Sequence, residues 1–190
     1  NQCSACASVT GSGFNIITGS TIASSCAHSN SLYGFNVGDR STVLGCTASF
    51  NGTAGIHANL LSTVRQCTCV NNGVFGIISD NNGWATISEN NCSFNGLLVY
   101  FGTPTQGAGI CVTNSPGCRV EANTVNLNYV GLVVQTNLHA FVLRNSAQGN
   151  VSTSYSIGAG NSWGPIVNVT ASGDISGVAN ANHPAANFIH

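Results

Sequence analysis

A glycine followed by an apolar residue recurs along the chain, and the first three intervals are 21 residues each. The pairs are Gly13-Phe14, Gly34-Phe35, Gly55-Ile56, Gly76-Ile77, Gly109-Ile110 and Gly131-Leu132. Asparagines recur in nearly the same step at Asn30, Asn51, Asn72, Asn95, Asn128 and Asn150, and β-branched residues at Ile22, Val43, Val64, Ile87, Val120 and Val142. Three ladders in one register indicate a repeat protein.

Each repeat is built from short stretches of β-prone residues that are broken by Asn and Gly, as in residues 41–58. Such strands cannot bury an apolar side alone, whereas stacked coils align equivalent residues into one core. No helical periodicity competes with this pattern. We therefore predict an all-β parallel solenoid of about seven coils, whose stacked Asn side chains hydrogen-bond from coil to coil at a corner.

The repeat Asn-x-x-x-Gly-apolar, with a Thr-Val or Thr-Ile start, resembles that of right-handed parallel β-helix proteins of the pectate-lyase-like superfamily. The similarity covers about residues 13–157. The resemblance implies the right-handed winding, which periodicity alone does not fix. The superfamily includes polysaccharide lyases, hydrolases, epimerases, phage tailspikes and proteins without known chemistry, so the resemblance implies little about activity.

Alternation along the strand after each glycine predicts which side chains leave the core. Those expected to point outward are Asn36, His57, Ile78, Cys111 and Val133. This outer column becomes apolar in its second half, which is unusual for a face in water. Two interpretations remain open: the column is covered by an inserted loop, or it contacts another subunit.

We predict repeats over residues 1–158, with an insertion at residues 97–107, and a C-terminal capping segment over residues 159–190. The insertion carries Leu97, Leu98, Val99, Tyr100 and Phe101, an apolar run that favours packing on its own outer face, a subunit interface or a ligand contact. Trp163 and Phe188 suit a cover for the last coil. The first coil has no comparable cover, which favours a lid from a removed domain or another chain.

Charged residues make up only 5% of the chain, and the formal net charge is -1. Four arginines without any lysine argue against nucleic acid or an anionic membrane face as partners. No apolar run reaches the length that crosses a bilayer. A nearly uncharged surface tolerates self-association, so a second copy is the first partner to expect and polysaccharide the second.

Candidate catalytic residues are few. Asp39 and Asp80 follow the post-glycine strand two coils apart, a separation of about 10 Å along the axis, which is near the upper end for an inverting acid pair. His57 is the histidine of the outward column. Corner-capping carboxylates are the structural alternative. The histidines share no ladder, and Cys3 with Cys6 lacks a second ligand pair, so we expect neither a metal nor a cofactor.

Two further sets have structural interpretations. Arg65, Glu89, Glu121 and Arg144 fall one per coil and predict a charge ladder. Cys46 with Cys67, and Cys69 with Cys92, occupy equivalent positions and predict stacked free thiols in the core. Local disulfides between Cys3 and Cys6 and between Cys111 and Cys118 are the alternative for the remaining cysteines.

The leading hypothesis is a secreted or cell-surface, non-catalytic structural or adhesive module that self-associates into an oligomer or fibre. Its interface would use the outer column, the insertion or the first coil, with Ile78, Leu97, Leu98, Tyr100, Phe101, Cys111 and Val133 as contacts. The alternative is a polysaccharide-binding or polysaccharide-degrading β-helix, of lyase, hydrolase or epimerase type, acting near Asp80, Tyr100 and His57. An ice-binding solenoid rests on Thr21, Thr42, Thr63 and Thr86, a column that ends at Arg119 and Phe141.

Overall fold

A computed structural model describes residues 4–6, 10–80, 83–97, 99–100, 103–104, 107–136, 138–170 and 177–190 of the protein. For residues 5, 6, 99, 100, 103 and 104 the description covers the backbone alone. The regular structure of these ranges consists of strands, without a helix. Three parallel sheets form the walls of a solenoid of about seven coils, which confirms the predicted fold class.

Sheet A has nine strands, all parallel. In spatial order they are β1 (Ser4–Cys6), β4 (Cys26–His28), β7 (Thr47–Ser49), β10 (Thr68–Val70), β13 (Asn91–Ser93), β18 (Thr124–Asn126), β21 (Ser146–Gln148), β25 (Asn187–Ile189) and β24 (Ile166–Asn168). The C-terminal strand β25 thus lies between β21 and β24, so the end of the chain is built into the stack.

Sheets B and C have seven strands each. Sheet B contains β2 (Phe14–Ile16), β5 (Tyr33–Val37), β8 (Ala54–Ala58), β11 (Phe75–Ser79), β16 (Ala108–Val112), β19 (Val130–Val134) and β22 (Thr153–Ile157). Sheet C contains β3 (Thr21–Ala23), β6 (Thr42–Leu44), β9 (Thr63–Arg65), β12 (Thr86–Ser88), β17 (Arg119–Glu121), β20 (Phe141–Leu143) and β23 (Ser162–Trp163). The insertion holds an antiparallel pair, β14 (Val99–Tyr100) and β15 (Thr103–Pro104).

The core is made by columns of equivalent residues. Strand pairing aligns Phe35, Ile56, Ile77, Ile110 and Leu132, each of which is fully buried. On sheet C it aligns Val43, Val64, Ile87, Val120 and Val142, also fully buried. Burial of one such side chain contributes about 1.5–3 kcal/mol, so the two predicted apolar ladders supply much of the driving force for stacking.

The predicted asparagine ladder forms at the corner between sheets A and B. The Oδ1 of Asn72 accepts hydrogen bonds from the Nδ2 of Asn51 at 3.0 Å and from the backbone N–H of Asn51 at 3.1 Å. The Nδ2 of Asn72 donates to the Ala48 carbonyl at 3.1 Å. A Cβ at Gly55 would lie 2.7 Å from the Gly76 carbonyl oxygen and 2.9 Å from the Nδ2 of Asn72. The glycine ladder therefore makes room for the asparagine ladder.

A second asparagine ladder, not predicted from the sequence, lies at the corner between sheets C and A. It runs through Asn90, Asn123, Asn145 and Asn187, with Nδ2 to Oδ1 distances of 3.0 Å at each step. Cys67 precedes it at this corner and donates its backbone N–H to the Oδ1 of Asn90 at 2.9 Å. Asn90, Asn123 and Asn145 each precede a member of the first ladder by five residues, a signal present in the sequence.

The predicted stacked cysteines of the core are free thiols. Cys69 stands in register with Cys92, and the thiols of Cys26, Cys46, Cys67, Cys69, Cys92, Cys111 and Cys118 are free. The disulfide considered between Cys111 and Cys118 is therefore wrong. Cys118 packs in the main core, whereas Cys111 packs in a separate outer cluster, on the other side of the wall. Cys3 lies outside the described residues.

Replacing Asn72 by alanine tests the ladder. The change leaves the backbone N–H and Nδ2 of Asn51 without their acceptor in a buried corner, so we expect a loss of about 3 kcal/mol in the free energy of unfolding. Urea unfolding monitored by circular dichroism measures it. The matched control is Asn91→Ala, at an exposed strand position, where the expected change is within about 0.5 kcal/mol. Equal losses in the two variants would contradict the role of the ladder.

Candidate functional site

The outer face of sheet B carries a line of polar contacts centred on His57. The Nε2 of His57 lies 2.6 Å from the Oδ1 of Asp80, and its Nδ1 lies 2.9 Å from the Oδ1 of Asn36. The imidazole stacks on the ring of Tyr33 with the ring centroids 4.7 Å apart. The Nδ2 of Asn36 donates in turn to the Oδ1 of Asn15 at 3.1 Å. Two of the three candidate catalytic residues are therefore in contact.

Asp39 lies elsewhere along the same corner. Val37, Ala58 and Ser79 are aligned with one another at the ends of their strands. Asp80 directly follows Ser79, whereas Asp39 is the second residue after Val37, so the two carboxylates do not occupy equivalent positions.

Only 7% of His57 is exposed, so its imidazole offers little surface to a ligand. Burial, and secondarily the Asp80 carboxylate, raise the pKa of the Tyr33 hydroxyl. The cluster is suited to holding the corner in place, with Asp80 as its partly open end.

The outward column is in register as predicted, from Asn36 through His57, Ile78 and Cys111 to Val133. Ile78 and Cys111 are buried in a small outer cluster with Ala54 and Ala108, and Val133 packs against it. Burial, with a smaller effect of Asp80, raises the pKa of the Cys111 thiol to about 11. This half of the column is covered within the chain.

Of the insertion residues proposed as contacts, Leu98 and Phe101 lie outside the described residues, and Tyr100 is described by its backbone alone. Leu97 is half-buried and, with Phe50, Asn71 and Phe94, lines a cavity of about 180 Å³. We call the row of Phe50, Phe94, Leu97 and Leu127 the apolar corner strip. Phe50, Phe94 and Leu127 are exposed and have φ values of 55°, 56° and 54°.

A larger open groove, of about 470 Å³, lies at the corner between sheets B and C. Its lining consists of Trp84, Pro116, Gly117, His139, Phe141 and Ser162. The side chain of Trp84 is 61% exposed, and its backbone has a φ of 60°. A Cβ at Gly117 would lie 2.7 Å from the Cε3 of Trp84. The indole therefore rests directly on the bare backbone of Gly117.

Three consecutive lengthened corners build this groove. Six residues connect sheet B to sheet C at positions 80–85, 113–118 and 135–140, whereas four do so at positions 38–41, 59–62 and 158–161. The groove lies at these longer corners, since its lining includes Trp84, Pro116 and His139. The groove was not predicted from the sequence, although the step of 23 residues from Val64 to Ile87, against 21 from Val43 to Val64, signals the first lengthening.

The charged residues near the groove are paired with one another. Arg119 aligns with Thr86 and Phe141 on the outer face of sheet C, and its guanidinium contacts Glu121. Glu121 also accepts a hydrogen bond from Arg144 at 2.9 Å. Arg65 donates twice to Glu89, at 3.1 Å each, and holds the pKa of that carboxyl below its usual value. The predicted charge ladder thus forms as separate pairs, and the threonine column ends at Arg119 as expected.

The comparisons with known proteins decide the family. The family model described as "right handed beta helix region" matches residues 1–147. The chain belongs to the right-handed β-helix family. Among curated proteins no match is found. A solved structure that resembles this β-helix is the full-length tailspike protein 2 of the Escherichia coli O157:H7 bacteriophage CAB120, with a TM-score of 0.62 and 16% sequence identity.

That similarity covers 89% of this β-helix and 24% of the tailspike chain. At 16% identity it supports the shared fold alone. Within the described ranges, no helix is both long and apolar enough to cross a membrane. In the same ranges, no group of three or more His, Cys, Asp and Glu side chains is placed to hold a metal ion.

Thiol labelling tests whether the outer cluster around Cys111 is closed to solvent. Because the pKa of Cys111 is about 11, its thiolate fraction at pH 8 is on the order of one in a thousand, and the side chain is covered. Cys26 is exposed. We expect iodoacetamide at pH 8 to label Cys26 at least about 100-fold faster than Cys111, as measured by peptide mass spectrometry.

The pH dependence provides the check. The raised pKa keeps the Cys111 thiol protonated below about pH 11, so labelling of Cys111 should accelerate as the pH rises toward that value. Cys69, which is fully buried with its pKa raised mainly by burial, should stay unlabelled throughout. Labelling of Cys111 and Cys26 at equal rates at pH 8 would show that the outer cluster is open.

Proposed function

We propose that this β-helix is a secreted or cell-surface, non-catalytic module that binds polysaccharide in the groove at Trp84. The observation that carries the proposal is an exposed indole seated against Gly117 inside an open groove. A flat aromatic face packs against the apolar C–H face of a sugar ring, while groups at the rim exchange hydrogen bonds with hydroxyls. His139 and Ser162 supply such groups here.

The side chain of Trp84 supports a functional interpretation. Its left-handed backbone, with a φ of 60°, is shared with Arg40, Leu61 and His139 at the same corner of other coils, so that conformation belongs to the fold. An indole at that position leaves most of its apolar surface in water, which does not help folding. Exposed apolar surface of this kind is typical of binding sites.

We propose a non-catalytic module because carboxylates of this β-helix are already held by other side chains. Hydrolysis of a glycosidic bond uses two carboxyl groups that flank the bond. Asp80 is engaged by His57, and Glu89 and Glu121 are engaged by arginines. None of the described residues that line the groove is an Asp or a Glu. This arrangement suits retention of a glycan rather than its cleavage, and the proposed location outside the cell is one where polysaccharides occur.

Trp84→Ala should weaken polysaccharide binding by roughly tenfold or more, because the variant loses the stacking surface. Electrophoresis through gels containing individual polysaccharides measures the retardation, after a glycan array has identified ligands. Phe50→Ala is the matched control, since Phe50 is also an exposed aromatic residue with a left-handed backbone but lies outside the groove lining. Retardation that is unchanged in Trp84→Ala, or lost equally in the two variants, would remove the groove from the binding surface.

A second candidate function is self-association into an oligomer or fibre through the apolar corner strip. Phe50, Phe94 and Leu127 occupy a left-handed position where other coils have Ser29, Asn71 and Gly149, so these exposed apolar side chains also bring a conformational cost. The strip carries no charge, and a net charge of -1 sets up little repulsion between copies. The cavity beside Phe50 and Phe94 can accept an apolar side chain such as Leu127 of a second copy.

The double substitution Phe50→Ser with Phe94→Ser should shift the wild-type oligomer toward monomer, with the dissociation constant raised about tenfold or more, since both walls of the cavity become polar. Sedimentation velocity over a concentration series measures the distribution. Val151→Ser is the control, because Val151 is also apolar and exposed but is not part of the cavity lining. A wild-type protein that stays monomeric at high concentration would refute this second function.

A further inference from the structure

We infer that the Trp84 groove selects uncharged polysaccharide, which it recognises by the face of one indole that Gly117 holds in position. The inference rests on the proposed polysaccharide-binding function and goes further, because it names the class of glycan and the residue that positions the platform. It concerns the corner between sheets B and C rather than the outer face of sheet B.

The charge of the groove supports an uncharged ligand. Among the described residues that line it there is no Asp, Glu, Lys or Arg. The nearest cation along sheet C is Arg119, in register with Phe141, and its guanidinium is already paired with Glu121. A glycan rich in carboxylates would bring several negative charges to a surface whose described lining holds neither Arg nor Lys. A neutral chain meets no such desolvation cost.

The aromatic residues follow the solenoid axis. Trp84 precedes β12 and Phe141 begins β20, and these strands are separated by β17 alone. Two steps of about 4.8 Å place the backbones of Trp84 and Phe141 roughly 10 Å apart along the axis, and the indole of Trp84 extends over Gly117 in the coil between them. His139 and Ser162 lie beside Phe141 in the same groove and offer hydrogen bonds to hydroxyl groups. The geometry suits a linear polysaccharide lying along the axis.

Gly117 determines the position of the platform. A Cβ there would lie 2.7 Å from the Cε3 of Trp84, 2.8 Å from its Cδ2 and 2.9 Å from its Cζ3. These atoms belong to a rigid ring, so the indole would have to lift away from the corner. Gly117 is therefore a positioning residue: it leaves the chemistry of the groove unchanged and fixes the plane of the ring that contacts the sugar.

A matched control is available at the same kind of corner. Gly19 also joins sheet B to sheet C and also has a left-handed backbone, with φ 75° against 70° for Gly117. A Cβ at Gly19 meets nothing within 4 Å. Gly19→Ala therefore imposes the same kind of backbone strain as Gly117→Ala, without displacing an aromatic ring.

The test uses Trp163→Phe as the background, so that Trp84 is the one remaining tryptophan. Its fluorescence is titrated with dextran, β-glucan and galactomannan as neutral probes, and with polygalacturonate and alginate as acidic probes. We expect saturable changes with a neutral probe, an affinity that varies less than about twofold between low and high salt, and no effect of a chelator. Gly117→Ala should weaken binding about tenfold or more, and Gly19→Ala should leave it within about twofold.

Each other outcome has a defined meaning. Binding of acidic probes alone, with a steep salt dependence, would overturn the inference about the glycan class and leave polysaccharide binding intact. Binding by neither class would refute the proposed function itself. Full affinity in Gly117→Ala would overturn the positioning role. If Gly117→Ala does not fold, Trp84→Leu replaces it, read by affinity electrophoresis; leucine is already found as Leu61 at the preceding corner of this wall with φ 56°.

Discussion

The buried asparagine amide is the contact on which the solenoid depends. One side-chain oxygen accepts two N–H groups of the coil before, and the amide nitrogen donates to a carbonyl of that same neighbouring coil and to the asparagine of the next. A corner that lacked this group would bury unsatisfied backbone donors, at about 1–3 kcal/mol each. The amide also demands space, which is why the glycine ladder accompanies it. Register, corner geometry and glycine placement thus have one cause.

Stacking fixes the interior but leaves the outer corner positions free. At the left-handed corner position between sheets A and B, successive coils carry Ser29, Phe50, Asn71, Phe94, Leu127 and Gly149. Serine, asparagine and glycine suit that backbone, whereas phenylalanine and leucine do not. Residues that are both strained and exposed are therefore the places where the sequence departs from what folding alone requires. Trp84 meets the same two conditions at the other corner.

The repeating features were predictable because each is encoded many times. The Gly-apolar, Asn and β-branched columns recur in coil after coil, and the direction of the outward column follows from alternation. The second asparagine ladder was obscured because Ser25, Cys46 and Cys67 stand at the equivalent corner in the earlier coils. Burial of Ile78 and Cys111 could not be derived from alternation, since it depends on Ala54 and Ala108, which enter the outer cluster from another position of the strand.

The site was harder to predict than the fold because it depends on exceptions to the repeat. The groove combines a run of three six-residue corners, an exposed indole and a glycine beneath it, a combination that occurs once among the described residues. The contact between His57 and Asp80, two of the candidate catalytic residues, lies next to the groove. Asp80 is the first residue of the corner that carries Trp84, and His57, one coil earlier, binds it at 2.6 Å. Through that contact the covered face of sheet B anchors the corner from which the groove begins.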